Sequence, residues 1–227
     1  MSLKSNDVLV LAHGAFHGPW CWQPTINHLE KEGLRCVAVD LNRGGAEPDR
    51  EALQGVVDGL RADGFRVHAI GHSLGCISVA LLDPDSLATA ILLAGPVADG
   101  PGIPDASTMI GEGFIENLEH FEDGRCLLPR DHARGIFFHR CDPKDAESSL
   151  DQLRPTFVYG AQSTERVFHE ALPVTYIACA EDRAINPAYQ AAVCEQMPYS
   201  VTLDFDHSPM LGAPDLLAAA ILEAMAR

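Results

Sequence analysis

Gly71-His72-Ser73-Leu74-Gly75 decides how this chain is read, because of what stands on either side of it. Before it runs Phe65-Arg66-Val67-His68-Ala69-Ile70, a strand-compatible stretch; after it runs Cys76-Ile77-Ser78-Val79-Ala80-Leu81-Leu82, which has the look of a helix. A serine between two glycines at a strand-to-helix turn is the pattern of a nucleophile elbow, whose tight backbone lifts the hydroxyl out of a sheet. Alone, the five residues are equally a serine that caps a helix. Partners elsewhere in the chain must decide.

Working outward, apolar runs at 8–12, 35–39, 65–70, 90–93, 174–180 and 201–205 alternate with segments of helical period at 19–30, 49–62, 73–82, 187–196 and 214–226. This alternation predicts an α/β protein with a mainly parallel sheet of about six strands, flanked by helices. The last helix is the clearest. Pro214 and Asp215 open it, and Leu216, Leu217, Ala220, Ile221, Ala224 and Met225 make its expected buried stripe.

Residues 97–172 break the rhythm. They open with Asp99-Gly100-Pro101-Gly102-Ile103-Pro104 and carry aromatics at Phe114, Phe121, Phe137, Phe138, Phe157, Tyr159 and Phe168. A structureless loop of that length does not suit a compact domain. The expectation is an inserted cap at 97–172 on an α/β core of residues 1–96 and 173–227. Within it, Asp142-Pro143 has the form of an N-cap and first-turn proline opening a helix through about Leu153.

The chain has 227 residues, enough for one such domain with an insertion. Its net charge of -16 argues against nucleic acid and anionic membranes as partners, since both need a basic face. Seven cysteines, none in a CxxC pair, predict reduced and mostly buried thiols and so a cytoplasmic location. The first residues lack a long apolar stretch of the kind that directs secretion, and no apolar run approaches membrane-spanning length.

A serine hydroxyl is a weak nucleophile that needs a base, itself oriented by an acid. Ten histidines compete. His207 alone stands late, after the run 201–205 and before the final helix. For the acid, Glu181 and Asp182 both follow the run 174–180. Asp182 is favoured, because the second place beyond a strand turns toward His207. Asp204 and Asp206 are expected to be solvated carboxylates. The turn His13-Gly14-Ala15-Phe16-His17-Gly18-Pro19-Trp20 after the first strand suits an oxyanion hole made by the N–H groups of Ala15 and Leu74. It is not GxGxxG, so a dinucleotide site is not expected.

Over nearly its whole length the chain resembles the α/β-hydrolase superfamily, and most of all the branch of plant methylesterases, hydroxynitrile lyases and bacterial salicylate esterases. The residues that carry this are Leu11 through Trp20, Gly71 through Gly75, Glu181-Asp182-Arg183 and His207-Ser208-Pro209; the stretch from Cys141-Asp142-Pro143 to Leu153-Arg154-Pro155 is similar to the cap of the bacterial members. By that resemblance Ser73, Asp182 and His207 match the family triad, and Ala15 and Leu74 its oxyanion amides. The short lead before Val8 fits a six-stranded sheet. The implied substrate, and expected partner, is a small carboxylic ester with an apolar or aromatic acyl part; no metal or organic cofactor is implied.

Hydroxynitrile lyases of this type carry a hydroxylated residue where this chain has Gly14 and a lysine where it has Ser208, so hydrolysis is the stronger expectation. The pocket is expected from Gly14, Phe16, Trp20, Phe114, Phe137 and Phe138. Thioesterase, lactonase, lyase or C–C hydrolase chemistry on the same site, a non-catalytic ligand-binding role on the same fold, and a homodimer are left open.

Overall fold

The computed structural model describes residues 4–97, 103–160 and 171–227; Phe168 and the opening stretch 99–102 of the expected cap lie outside them. Strands β1 (Asp7–Ala12), β2 (Arg35–Val39), β3 (Arg66–His72), β4 (Thr89–Leu93), β7 (Val174–Cys179) and β8 (Tyr199–Leu203) form one sheet in the order β2-β1-β3-β4-β7-β8, while β5 (Glu119–His120) and β6 (Cys126–Leu127) make a separate antiparallel pair. Every neighbouring pair in the large sheet is parallel. Around it stand α1 (Gln23–Lys31), α2 (Ala46–Ala62), α3 (Gly75–Ala80), α4 (Arg130–Phe137), α5 (Pro143–Leu150), α6 (Pro187–Gln196), α7 (Pro209–Gly212) and α8 (Pro214–Met225).

Alternate strand residues feed two apolar layers. Val8, Val10, Val67, Ala69, Leu92 and Tyr176 pack with Leu53, Val57, Val79, Tyr189 and Val193 of α2, α3 and α6. Leu9, Leu11, Ile70, Ile91 and Ile177 pack with Ile26, Leu29, Leu217 and Ile221 of α1 and α8. With helices on both faces, the central strands are apolar at nearly every position, which is why they show as unbroken runs in the sequence.

Several boundaries differ from the sequence reading, each for a local reason. Residues 19–30 are not one helix. Pro24 lacks the N–H that an α-helix would bond to the Trp20 carbonyl, so a 3₁₀ turn at Pro19–Trp22 precedes α1. The helix expected at 73–82 is shorter, because Ser73 sits at φ 52°, outside helical geometry. The last strand is Tyr199–Leu203 rather than 201–205. Its pairing with β7 ends at Cys179↔Leu203, and Phe205 leaves the ladder to join the apolar cluster of the cap segment. Leu216 is exposed, not part of the buried stripe, which runs instead through Leu217, Ala218, Ile221, Ala224 and Met225.

In the segment expected to be a cap, Phe114, Leu128, Ile136, Phe137, Phe138 and Leu150 cluster with Phe16, Ala184, Phe205 and Ala213 from loops of the core. Asp142 caps α5 by accepting from the Lys144 N–H at 2.9 Å. All seven cysteines are free, five of them buried. Among the described residues no helix is long and apolar enough to cross a membrane.

The connection from β1 goes to β2 on one side, and the chain then returns to place β3 on the other. Ligands of open parallel sheets gather at such a reversal, outside the carboxyl ends of the strands. The loop after β1 begins at His13 and the loop after β3 begins at Ser73.

Candidate active site

At the end of β3 the chain turns so sharply that Ser73 adopts left-handed backbone, φ 52°. For a residue other than glycine this costs of order 1–3 kcal/mol and persists only where the surroundings enforce it. They do. Ser73 N–H donates to the Leu93 carbonyl at 2.9 Å, and the Ser73 carbonyl accepts from Cys76 N–H at 3.0 Å. Close packing explains the two glycines. A Cβ on Gly71 would run into the Gly75 carbonyl, and one on Gly75 would lie 2.6 Å from the carbonyl oxygens of both Ala12 and His13.

Beyond β7, Asp182 is buried to 3 % exposure and its carboxylate accepts four hydrogen bonds. Oδ1 takes the N–H groups of Ala184 (2.7 Å) and Ile185 (2.9 Å); Oδ2 takes Gln190 Nε2 (2.9 Å) and His207 Nδ1 (2.8 Å). With Nδ1–H donated to Asp182, the other nitrogen of His207, Nε2, is left as the proton acceptor. Glu181, the alternative acid, instead pairs with Arg140 at the surface.

His207 is placed from three sides. Its backbone carbonyl accepts from His72 Nε2 at 2.9 Å, the rings of His72 and His207 lie 4.5 Å apart, and the Phe137 ring stands 5.5 Å away. The residue before Ser73 thus holds His207 by its main chain. Burial keeps His72 neutral by pushing its pKa well below the usual imidazole range.

Asp206 corrects the sequence reading. It is fully buried, not solvated: Oδ2 accepts from Arg140 N–H at 2.7 Å and Oδ1 from Ser208 N–H at 3.0 Å. It therefore ties the loop after β8 to the cap segment, and burial raises its pKa.

The turn after β1 is built around buried imidazoles. His13 Nδ1–H donates to the Gly14 carbonyl at 2.9 Å while its Nε2 accepts Leu41 N–H at 3.0 Å, an arrangement that needs the neutral ring. His17 Nδ1–H donates to the Ala15 carbonyl at 2.8 Å, and burial lowers its pKa to about 3. Phe16, at φ 66°, is clamped by Thr156 and Arg154: its N–H donates to Thr156 Oγ1 and its carbonyl accepts Arg154 N–H, each at 2.9 Å. Those bonds consume the amide of Phe16. The amides of Ala15 and Leu74 have no acceptor among the described residues, and both residues line a cavity with Ser73.

Of the residues expected to form a pocket, Phe114 lines that cavity. Gly14, Phe16, Trp20, Phe137 and Phe138 do not. Phe16, Phe137 and Phe138 are spent on the apolar cluster of the cap segment, and Trp20 stacks on His17 at 5.5 Å. Gly14 packs under Ser73, where a Cβ would come within 2.8 Å of the serine Cβ. Sequence reasoning missed Gln190, Thr156 and the role of His72. Gln190 carried a faint signal, as a polar residue between Tyr189 and Val193 on the buried face of α6; Thr156 carried none.

The model of the alpha/beta hydrolase family matches residues 9–220. Methylesterase 2 of Arabidopsis thaliana is 28% identical over 253 aligned residues, covering 96% of this chain and 96% of its own. Salicylic acid-binding protein 2 of Nicotiana tabacum is 26% identical, covering 98% of each. The crystal structure of an Arabidopsis methylesterase superposes with a TM-score of 0.78 at 24% identity, over 96% of this chain and 98% of that one. Matched by the family model over residues 9–220, the chain belongs to the alpha/beta hydrolase family and is an ester hydrolase with methylesterases among its relatives.

Proposed function

We propose that this chain is a serine esterase that cleaves a small carboxylic ester, with an apolar or aromatic acyl part, through an acyl-enzyme formed on Ser73. The observation that carries this is the buried His207–Asp182 hydrogen bond of 2.8 Å, held beside a strained serine elbow by His72. His207 Nε2 takes the Ser73 proton as Oγ attacks the ester carbonyl, and Asp182 stabilises the imidazolium that forms. The developing oxyanion accepts from the Ala15 and Leu74 amides, which have no other acceptor among the described residues. His207 returns the proton to the departing alkoxide. A water molecule, deprotonated in its turn by His207, then releases the acid and restores Ser73.

Lyase chemistry of the related kind is disfavoured by two positions. The packing of Gly14 against Ser73 leaves no room for a hydroxylated side chain, and position 208 is a buried serine rather than an ammonium that could hold a leaving cyanide. Purified Ser73→Ala protein, assayed on p-nitrophenyl esters and with a fluorophosphonate label, tests the proposal. Turnover is expected to fall by at least about a thousandfold, with labelling abolished and the fold unchanged. Undiminished turnover would overturn it.

A further inference from the structure

Ser73, Ala15 and Leu74 share a cavity whose other walls are hydrocarbon: Ile77 of α3, Met109, Ile110 and Phe114 of the cap segment, and Ile185 after β7. Its volume is about 70 Å³. An apolar cavity of about 150 Å³ is what holds a single benzene ring, so this one has room for only a few carbon atoms. Polar groups are equally scarce. Apart from Ser73, the hydroxyl of Tyr159 is the one side-chain polar group among the described lining residues. It is already committed, donating to Asp49 Oδ2 at 2.9 Å and lying 3.1 Å from Ser78 Oγ. A hydroxyl or carboxylate on an entering acyl group would lose its water and find no partner.

The wall facing Ser73 is pinned. Met109 accepts from the Asn186 N–H at 2.7 Å, and Ile110 makes an antiparallel bridge with Ile185, so the cap segment is bonded to the loop that carries Asp182. Of the two arms of an ester, the acyl arm stays bonded to Ser73 through the intermediate, whereas the alcohol must leave to solvent. A small, half-open space against the serine suits the arm that stays.

We propose that this cavity is the acyl site and that it selects esters of short, unsubstituted aliphatic acids, about two to four carbons long, over those of aromatic or hydroxylated acids. The inference rests on the serine esterase reading and narrows it. The resemblance in sequence admits both aromatic and aliphatic acyl parts; the cavity separates them.

The test is the acyl series p-nitrophenyl acetate, butyrate, hexanoate and benzoate, which holds the leaving group constant. The acetate or butyrate is expected to have the highest kcat/KM, with hexanoate and benzoate about tenfold lower or worse. Met109→Ala should open the wall and raise the ratio of benzoate to acetate turnover about tenfold. Val158→Ala, at a lining residue 42% exposed on its outer side, should raise it in the same direction and keeps the test alive if the first variant folds poorly. Ratios taken within one preparation are insensitive to lost protein. A wild type that prefers hexanoate or benzoate while Ser73 labels with fluorophosphonate overturns the acyl-size inference alone, as does a ratio unmoved in both variants. No turnover of any ester, with an unlabelled Ser73, overturns the esterase reading and this inference with it.

Discussion

The sheet and the cap segment hold their residues by different means. Ser73, Asp182 and His207 each stand within a few places of a paired strand, so backbone ladders such as Ala12↔Gly71, His72↔Leu93 and Cys179↔Leu203 set where their loops begin. The described residues 103–160 have no such frame: a two-residue hairpin and two eight-residue helices, fastened by single contacts. Those fastenings include Thr156 and Arg154 to Phe16, Arg140 to Asp206, Asn186 to Met109, the single bridge of Ile110 with Ile185, and Asn42 with both Pro155 and Phe157. The difference teaches that main-chain pairing places Ser73, Asp182 and His207, whereas individual contacts place the cap segment. Substitutions should therefore separate the two.

The largest effect is expected in the core. Asp182→Asn keeps the shape but reverses which nitrogen of His207 carries the proton, and kcat should fall about 10⁴-fold with the circular dichroism spectrum unaltered. A loss under tenfold would mean that Glu181 or Asp206 serves as the acid. Gly71→Ala attacks the frame itself, since its Cβ meets the Gly75 carbonyl. A loss of more than about 3 kcal/mol, seen as a lower urea midpoint or as insoluble protein, is expected. An unchanged midpoint would show that the elbow is looser than its packing implies.

Acid should weaken both regions through buried histidines. Burial depresses His17, under the cap segment, to about 3 and His68, in the sheet, to about 4. Because each folded pKa lies below the unfolded value, the folded state binds fewer protons between the two. The stability is complete above about pH 6.5 and is lost as pH falls through that window. At pH 5 each histidine should cost about 2 kcal/mol. Asp206, with a raised pKa, works in the opposite sense and destabilises as pH rises. Urea titrations at pH 7.5 and 5 check the sum, and variants at position 17 or 68 should each flatten the slope by one share.

The smallest effect belongs to a single fastening. Thr156→Val removes the acceptor of the Phe16 N–H with little change of shape, leaving a buried donor unpaired at about 1–3 kcal/mol. If the cap segment governs the oxyanion turn, kcat should drop about tenfold while the thermal midpoint moves by only a few degrees. If kcat is untouched, His13, His17 and the Arg154 N–H bond to the Phe16 carbonyl hold the turn without Thr156.

The six-stranded parallel sheet was legible because central strands buried on both faces leave continuous apolar runs, and the elbow because its glycines answer to close contacts inside five consecutive residues. The positions of Asp182 and His207 were legible for a similar reason, each lying just beyond a strand end. The end of β8 was not, since Val201–Phe205 is as apolar as the true strand and only pairing with β7 decides where the ladder stops.

What the amino-acid order alone determined is everything set by local chemistry: strand and helix periods, the serine turn, the cap of α5, and the sequence of candidate residues along the chain. Tertiary packing alone decided which aromatics reach the cavity, that Asp206 is buried rather than solvated, that His72 bonds the main chain of His207, and that Thr156 clamps Phe16 from 140 residues away. The physical reason is range. A turn or helix cap is satisfied within a few residues, whereas a cavity wall or a buried acceptor exists only once distant segments have met.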